Sequence, residues 1–298
     1  MRPAALNFIV ANKYANGYYC PKCGCYLKGI YRSNVRTKIL HCNNCKSEFS
    51  VLAGTIFEGT HLDLRMWLYA MNLVIVAKKG ISACQLQREL GMKSYKGAWR
   101  MLHLIRQAMS KEEYNNVFEA VVEIDETYVG GKPRKSNVHT ERETNEKFNK
   151  RGRGTSKTPV IGVKERSTGK VHAVVANYND EGKQLTGKQL FNVLKKVCKD
   201  GVTVMTDQYS GYNILEKENE KNFIRIKVDH SVTYSLGDGK HTNGIESFWA
   251  IVNRGVYGIY HHVSVEYMKR YMDEFCFRLN HRETDDAFNS LVSLTIAA

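Results

Sequence analysis

The sequence lacks any apolar run that approaches the roughly 20 residues of a membrane-spanning helix. Its N-terminal stretch, MRPAALNFIV, also lacks the cleavage pattern of a secretory signal peptide. These absences argue against the membrane and secreted classes. We therefore expect a soluble, cytoplasmic protein that has no membrane partner.

Acidic residues are too few to balance the basic ones, since 30 Asp and Glu stand against 44 Lys and Arg. The formal net charge of +14 indicates a polyanionic partner, most often nucleic acid, although a merely solvated basic surface is the alternative. With 298 residues, 43% of them apolar, the chain is long enough for two or three domains around a substantial core.

The cysteines lack the distribution of a disulfide framework. Five of the eight fall within residues 20–45, and the other three are scattered singly through apolar helical patterns, as interior residues are. The cluster contains two C-x-x-C pairs, and their separation suits a four-cysteine zinc ribbon with the ligands Cys20, Cys23, Cys42 and Cys45. Cys25 and His41 are alternative ligands, and a pair of metal-free thiol turns is the alternative to a zinc site.

Three helical patterns follow the cysteine cluster. Residues 61–77 form an apolar run, Ser82 is placed to cap a second helix, and Ser94–Met109 has one apolar face. A turn at Gly91 joins the last two, as in a helix-turn-helix, but a plain helical hairpin has the same pattern. Lys93, Lys96, Arg100 and Arg106 would decorate the last helix, although Arg106 also falls on its apolar face. The candidate DNA contacts are Lys93, Lys96 and Arg100.

The stretch Val121–Gly131 is predicted to be a β-strand because its residues alternate in character and a glycine pair ends it. Asp125 lies inside the most apolar part of this strand. Its desolvation must be offset by a cation, by hydrogen bonds or by a metal ion, unless the strand is an edge strand that exposes the acid. Residues 132–158 then hold nine Lys or Arg and almost nothing apolar, which predicts a flexible basic loop that is either solvated or in contact with a phosphate backbone.

Order resumes at Pro159 with two strands joined by a tight turn at Ser167–Gly169. Thr186 can cap the next helix, and the short apolar strand VTVMTD ends at Asp207. A helix over 211–220, a strand over 223–228 and further helices complete the chain. The order β-β-β-α-β-α-β-α predicts an α/β protein with the mixed sheet of the ribonuclease H-like fold.

In such a sheet the middle of the first strand and the end of the fourth are neighbours. Asp125 and Asp207 would face each other there, and two carboxylates at short range repel unless a divalent cation lies between them. The alternative role for Asp207 is to cap the turn after its strand. A third oxygen ligand comes from the helix that begins in HTNGIESFW, through Asn243, Glu246 or both, unless these two residues only form a capping box.

Four separated motifs occur in one order: CPKC…CNNC, IDETYVGG, TDQYSGY, and HTNGIESFW followed by RGVYGIYHHVS and FRLNHR. In these motifs residues 17–285 resemble transposases of the IS1595 family, which have an ISXO2-like catalytic domain. The resemblance implies DNA transposition by a DDE-type, ribonuclease H-like nuclease that carries an N-terminal zinc ribbon and helix-turn-helix.

The resemblance also assigns roles to individual residues. Asp125 and Asp207 match the two aspartates of the catalytic triad; family usage favours Asn243 as the third member, whereas its charge makes Glu246 the better ligand for a hard cation. Relatives usually have lysine where this chain has Asn253, and the adjacent Arg254 would have to take over its DNA contact from a position turned by about 100°.

The implied chemistry is phosphoryl transfer with Mg²⁺ or Mn²⁺ at the triad, beside a structural Zn²⁺ in the ribbon. The implied partners are the terminal inverted repeats of the element and target DNA, and two element ends imply a homodimer or a higher oligomer. Two other functions fit the same residues: another ribonuclease H-like nuclease, or a catalytically inactive, zinc-dependent DNA-binding regulator.

The predicted domains are a zinc ribbon over 17–50, a helix-turn-helix-like DNA-binding region over 60–110, and a ribonuclease H-like catalytic domain over 117–290 with 132–158 as its flexible basic insertion.

Overall fold

A computed structural model of the protein describes residues 2–27, 38–115, 117–130, 157–176, 185–217, 220–228, 239 and 241–296. Apart from positions 157 and 158, the predicted basic loop 132–158 lies outside the described residues. The chain divides into two compact units, one formed by residues 1–112 together with 281–298 and the other by residues 113–280.

In chain order, the helices and strands of the described residues are α1 (Arg2–Lys13), β1 (Ile39–His41), β2 (Glu48–Ser50), α2 (Leu64–Val76), α3 (Ala83–Glu89), α4 (Tyr95–Met109), β3 (Val121–Val129), β4 (Thr158–Glu165), β5 (Val171–Val175), α5 (Gly187–Val197), β6 (Thr203–Thr206), a 3₁₀ helix (Ser210–Glu216), β7 (Ile224–Lys227), α6 (Asn243–Gly255), a π-helical turn (Val256–Tyr260), α7 (Val265–Asn280) and α8 (Ala287–Ile296).

The first unit contains the cysteine cluster and the three predicted helices. Strands β1 and β2 pair antiparallel beside the cysteines. Ser82 caps α3 as predicted, because its side chain accepts a hydrogen bond from the backbone N–H of Gln85. The short turn between α3 and α4 contains Gly91 at φ +60°, a conformation that favours glycine.

Helix α8, near the end of the chain, packs against α1, α2 and α4 of the first unit. The carbonyl oxygen of Thr295 in α8 accepts a hydrogen bond from the N–H of Ile56 at 3.2 Å. Residues 281–290, which we assigned from the sequence to the catalytic domain, therefore lie with the N-terminal helices.

The second unit is built on a five-stranded mixed sheet with the order β5-β4-β3-β6-β7. Strands β3, β4 and β5 pair antiparallel in succession, while β6 pairs parallel with both β3 and β7. These pairings confirm the predicted mixed α/β sheet. The element predicted as a helix over 211–220 is instead the shorter 3₁₀ helix.

Alternation along β3 and β4 gives the sheet two apolar faces. One face carries Val122 and Ile124 and packs against α5 and the 3₁₀ helix. The other carries Val129 and Val160 and packs against α6 and α7. Since Asp125 alternates with Ile124, it lies on the face that α6 and α7 cover.

Among the described residues, no helix has both the length and the apolar character needed to cross a membrane.

Candidate functional site

Asp125 lies in the middle of the central strand of the sheet, since β3 has β4 on one side and β6 on the other. The alternative of an acid on an exposed edge strand is therefore wrong. Burial is the largest cause that raises the pKa of Asp125, to about 7; the negative charge of Glu126 adds to it, and so do the charges of Asp207 and Glu246. Acidic groups from three elements thus influence one carboxyl group.

Asp207 directly follows β6, at the edge of the sheet where that strand ends. Val121 pairs with Thr203, so continuing the same register along the strands brings Asp125 level with Asp207. One oxygen of Asp207 accepts a hydrogen bond from the N–H of Tyr209 at 2.9 Å, which confirms that Asp207 caps the turn. A carboxylate has a second oxygen, so this bond does not prevent metal ligation.

The start of α6 differs from the prediction. Thr242, not Asn243, is the N-cap, and Asn243 is the first residue of the helix, so the predicted Asn243 cap and its capping box are wrong. The hydroxyl of Thr242 donates to Oε1 of Glu246 at 3.1 Å. Asn243 and Glu246 are both exposed in the first turn of α6, and Glu246 lies close enough to Asp125 to raise its pKa.

A glycine lets α6 approach the sheet beside Asp125. Gly162 of β4 is the register partner of Asp125. A Cβ atom at Gly162 would lie 2.5 Å from the Trp249 ring and 2.9 Å from the Ile245 side chain, both in α6. Any larger residue at this position would push the helix away from the strand that carries Asp125.

The donor set of Asp125, Asp207 and Glu246 fits a hard divalent cation, because it consists of carboxylates that disfavour one another's ionisation without one. Among the described residues, however, the four cysteines are the one group of three or more His, Cys, Asp or Glu side chains gathered closely enough to share a metal ion. The carboxylates are not gathered to that degree.

Replacing Asp125 by asparagine is expected to stabilise the Mg²⁺-free protein. The folded-state pKa of about 7 lies above the unfolded value of 3.8, so ionisation opposes folding increasingly as pH rises from about 4 to 7. Denaturant unfolding at pH 8 should therefore show the variant more stable, by an amount on the order of 2–4 kcal/mol. The gain should shrink at pH 4.5. The exposed Asp200→Asn serves as the control, and an equal gain at both pH values would contradict the burial of Asp125.

The four predicted zinc ligands converge in the first unit. The Sγ atoms of Cys20, Cys23, Cys42 and Cys45 all lie within 4.8 Å of one another, and Cys20–Cys45 and Cys23–Cys42 are both 3.7 Å apart. A tetrahedral zinc with Zn–S bonds of about 2.3 Å requires sulfur atoms about 3.8 Å apart. The cluster could therefore hold a zinc ion.

The backbone around the cysteines also suits metal binding. Gly24 and Lys46, the residues after the second cysteine of each pair, have φ values of +71° and +57°. A hydrogen bond from the backbone of Cys25 is the main cause that lowers the pKa of Cys23 to about 6. That bond favours the thiolate, which is the form that ligates zinc.

Cys42→Ser is expected to abolish stoichiometric zinc binding and to unfold the ribbon, because structural zinc contributes directly to the folding free energy. Metal analysis and thermal unfolding of the purified variant check this. Cys84→Ser removes a cysteine outside the cluster and should keep the zinc. Wild-type protein that contains no zinc would rule out the site.

The basic residues predicted to decorate α4 divide into two groups. Lys93, Lys96 and Arg100 are exposed around the start of α4, whereas Arg106 is buried with 2% of its surface accessible. Arg106 therefore lies on the packed face of α4, as its place in the apolar period indicates, and does not decorate the exposed surface of the helix. Arg254 is exposed on α6 of the second unit, where its Nε atom donates to the carbonyl oxygen of Ala250.

Sequence reasoning gave no role to two residues beside the predicted triad. Glu123 lies two positions before Asp125 on the same strand, and Arg225 donates hydrogen bonds to the carbonyl oxygens of Asp207 and Tyr209 at 3.2 and 3.3 Å. The strand alternation already puts Glu123 on the face of Asp125. No comparable sequence signal identifies Arg225.

Comparisons with known proteins agree on one family. The family model of the ISXO2-like transposase domain matches residues 118–280, more than half of the chain. An uncharacterized protein in transposable element ISH50 of Halobacterium salinarum is 30% identical over 243 residues, which cover 80% of this chain and 76% of that protein.

A solved structure, the simian T-cell lymphotropic virus intasome in complex with PP2A regulatory subunit B56 gamma, contains a chain with 10% identity and a TM-score of 0.33. The match covers 68% of this chain and 65% of that chain.

Proposed function

The chain belongs to the family of ISXO2-like transposases, and we propose that it is the DNA transposase of an insertion sequence, cleaving DNA strands at the element ends and joining them to target DNA. The observation that carries the proposal is the placement of three carboxylates from different parts of the 113–280 unit: the β3–β6 register brings Asp125 level with Asp207, and Glu246 lies in the first turn of α6, where its charge acts on Asp125.

We propose the ribonuclease H-like fold for this unit. The support is its sheet, in which three antiparallel strands are followed by β6, parallel to β3 and beside it. This arrangement makes the middle of the first strand and the end of the fourth strand neighbours. It accounts for a carboxylate in the most apolar part of β3.

Asp125, Asp207 and Glu246 are the proposed ligands of Mg²⁺ or Mn²⁺, and Asn243 is the alternative third ligand. When bound, such an ion activates the attacking oxygen and stabilises the leaving oxygen of the phosphodiester. The protein holds the carboxylates on a buried strand, a strand end and a helix start, three rigid supports. Two element ends require at least two copies of the catalytic unit on DNA, so we propose a homodimer or a higher oligomer.

The proposed DNA-reading surface is the start of α4. Lys93, Lys96 and Arg100 are exposed there, and Ser94 begins the helix without a side-chain capping bond. The N-terminal end of a helix in this arrangement carries the residues that reach bases and phosphates. Arg254 is a separate proposed contact from the catalytic unit.

Replacing Lys93, Lys96 and Arg100 together by alanine is expected to weaken binding to element-end DNA and to lower its salt dependence. Each lost phosphate contact reduces the slope of log K against log salt by about 0.9. Fluorescence anisotropy at several salt concentrations measures both quantities. Lys196→Ala, an exposed lysine on α5, is the control, and an unchanged slope in the triple variant would contradict this surface.

A catalytically inactive DNA-binding regulator is the second candidate function. The feature that favours it is Asn253, at the position where the resemblance to the family implies a lysine. Purified protein is incubated with Mg²⁺ and DNA that carries the flanking repeats of the element. The transposase proposal predicts nicked ends that join to a second DNA, whereas binding of the repeats without any cleavage would support the regulator.

A further inference from the structure

We propose that Glu123 is a positioning residue that fixes the start of α6, and with it the third metal ligand, against the strand that carries Asp125. The inference rests on the proposed metal site of the transposase. In this role Glu123 contacts neither DNA nor the ion; it acts through the helix that carries Asn243 and Glu246.

Glu123 caps α6 from another part of the chain. Its side chain is 1% exposed, and its Oε2 atom accepts a hydrogen bond from the N–H of Ile245 at 2.9 Å. The helix's own N-cap residue, Thr242, makes no side-chain capping bond. A carboxylate at this position satisfies a backbone donor of the first turn and interacts favourably with the helix dipole.

The other oxygen of Glu123 binds Arg166, which follows β4. Nε of Arg166 donates to Oε1 of Glu123 at 2.7 Å. The same guanidinium donates to the carbonyl oxygen of Gly239 at 2.6 Å and to that of His241, and Nδ1 of His241 lies 3.3 Å from Glu123. The ion pair therefore holds the residues that lead into α6 as well as its first turn.

Close packing leaves this link little freedom. A Cβ atom at Gly244 would lie 2.7 Å from Oε2 of Glu123, so the carboxylate lies directly against the helix backbone. Nζ of Lys164, the register partner of Glu123 on β4, donates to the carbonyl oxygen of Gly244 at 3.1 Å. Side chains of β3 and β4 thus both contact Gly244, the residue between Asn243 and Ile245.

This geometry connects the two halves of the proposed metal site. Glu123 and Asp125 share a strand and a face, while Asn243 and Glu246 flank the residues that Glu123 and Lys164 bind. Metal affinity depends on ligand placement, and residues that orient ligands typically contribute 10- to 100-fold to affinity or activity. Glu123 fits that orienting role.

The test compares Glu123→Gln with Glu165→Gln. Glutamine keeps the size of Glu123 but loses the charge that pairs with Arg166. Glu165 is a second buried carboxylate of the same sheet, which accepts hydrogen bonds from Glu119 N–H at 2.7 Å and from the Thr168 hydroxyl at 2.6 Å. The Glu165→Gln variant therefore measures the general effect of removing a buried acid from this unit.

Binding of Mn²⁺ alone, measured by calorimetry on zinc-loaded protein without DNA, is the first readout. Glu123→Gln should raise the Mn²⁺ dissociation constant by about 10- to 100-fold. Glu165→Gln should change the Mn²⁺ dissociation constant by less than about threefold, even if its thermal midpoint falls as far as that of Glu123→Gln. Equal Mn²⁺ affinity in Glu123→Gln and Glu165→Gln would overturn the inference.

Cleavage of element-end DNA is the second readout. The loss caused by Glu123→Gln should be much smaller when Glu246→Gln is already present, because a positioning residue has no effect once the ligand that it positions is gone. If the two substitutions lower cleavage by independent factors that multiply in the double variant, Glu123 does not act through α6. If the wild type binds Mn²⁺ but never cuts DNA, the proposed function fails while the Mn²⁺ comparison still decides the inference.

Discussion

Asp125→Asn is expected to reduce DNA strand cleavage by about 10³-fold or more while binding of the element ends stays within about twofold. Asparagine keeps the shape of the side chain but removes the charge of a metal ligand. That loss takes away several kcal/mol of transition-state stabilisation, and about 4 kcal/mol corresponds to about 10³-fold in rate. Single-turnover cleavage in Mg²⁺ and a gel-shift assay measure the two properties.

Glu126→Gln is the matched control for Asp125→Asn. Glu126 is the adjacent acid on β3, and its Oε2 atom accepts a hydrogen bond from the hydroxyl of Tyr212 at 2.8 Å, on the opposite face of the sheet. We expect this variant to keep most of its cleavage activity. Asp207→Asn, in contrast, should lose as much as Asp125→Asn. If Asp125→Asn cuts at the wild-type rate, the assignment of the site is wrong.

Glu246→Gln is expected to lower cleavage by about 10²-fold or more, with a smaller loss in Asn243→Ala. Glu246 contributes a charge that already acts on Asp125, and a hard cation prefers a carboxylate to an amide. Comparing the two variants at several Mg²⁺ concentrations separates weaker metal binding from slower chemistry, because excess Mg²⁺ rescues only the former.

The opposite ranking would make Asn243 the third ligand, in agreement with family usage. In that case Glu246 has a structural role, for which its contact with the hydroxyl of Thr242 is a ready explanation. Equal and small losses in both variants would contradict any ligand from the start of α6. Thermal unfolding serves as the folding control, since both side chains are exposed and their replacement should leave the midpoint nearly unchanged.

Local patterns predicted much of the catalytic unit from the sequence. The alternation around Asp125, the glycine directly after β3 and the short apolar strand before Asp207 are short-range signals, and the strands formed where these signals lie. The two C-x-x-C pairs are also short-range signals. Four cysteines at this spacing gather within 4.8 Å because each pair forms a turn around its sulfur atoms.

Contacts between distant parts of the chain account for what the sequence could not predict. Asn243 is a better N-cap residue by propensity, yet Thr242 is the N-cap, and a carboxylate 122 residues away accepts the N–H of Ile245. Arg106 is basic, but it is buried on the packed side of α4. The contact between Glu123 and Ile245 is a tertiary contact that leaves no periodic signal, whereas the apolar period of α4 already includes Arg106.

Gly162 shows how such a contact can be hidden in the sequence. A glycine inside a strand commonly marks a bulge or a close approach of another element, and in β4 it marks the approach of α6. The role of Gly162 depends on Trp249 and Ile245, which come more than 80 residues later in the chain. The position of the proposed third ligand therefore depends on a residue that has no side chain of its own.

The most direct test of the metal-dependent mechanism uses element-end DNA in which sulfur replaces the leaving oxygen at the cleavage site. Mg²⁺ binds sulfur poorly and Mn²⁺ binds it better, so a leaving atom that contacts the ion should show this difference. We predict that the sulfur substrate is cut at least about 10²-fold more slowly than the oxygen substrate in Mg²⁺, and that Mn²⁺ restores most of the rate. Equal cleavage of both substrates in Mg²⁺, or cleavage without any divalent ion, would contradict the role proposed for Asp125, Asp207 and the start of α6.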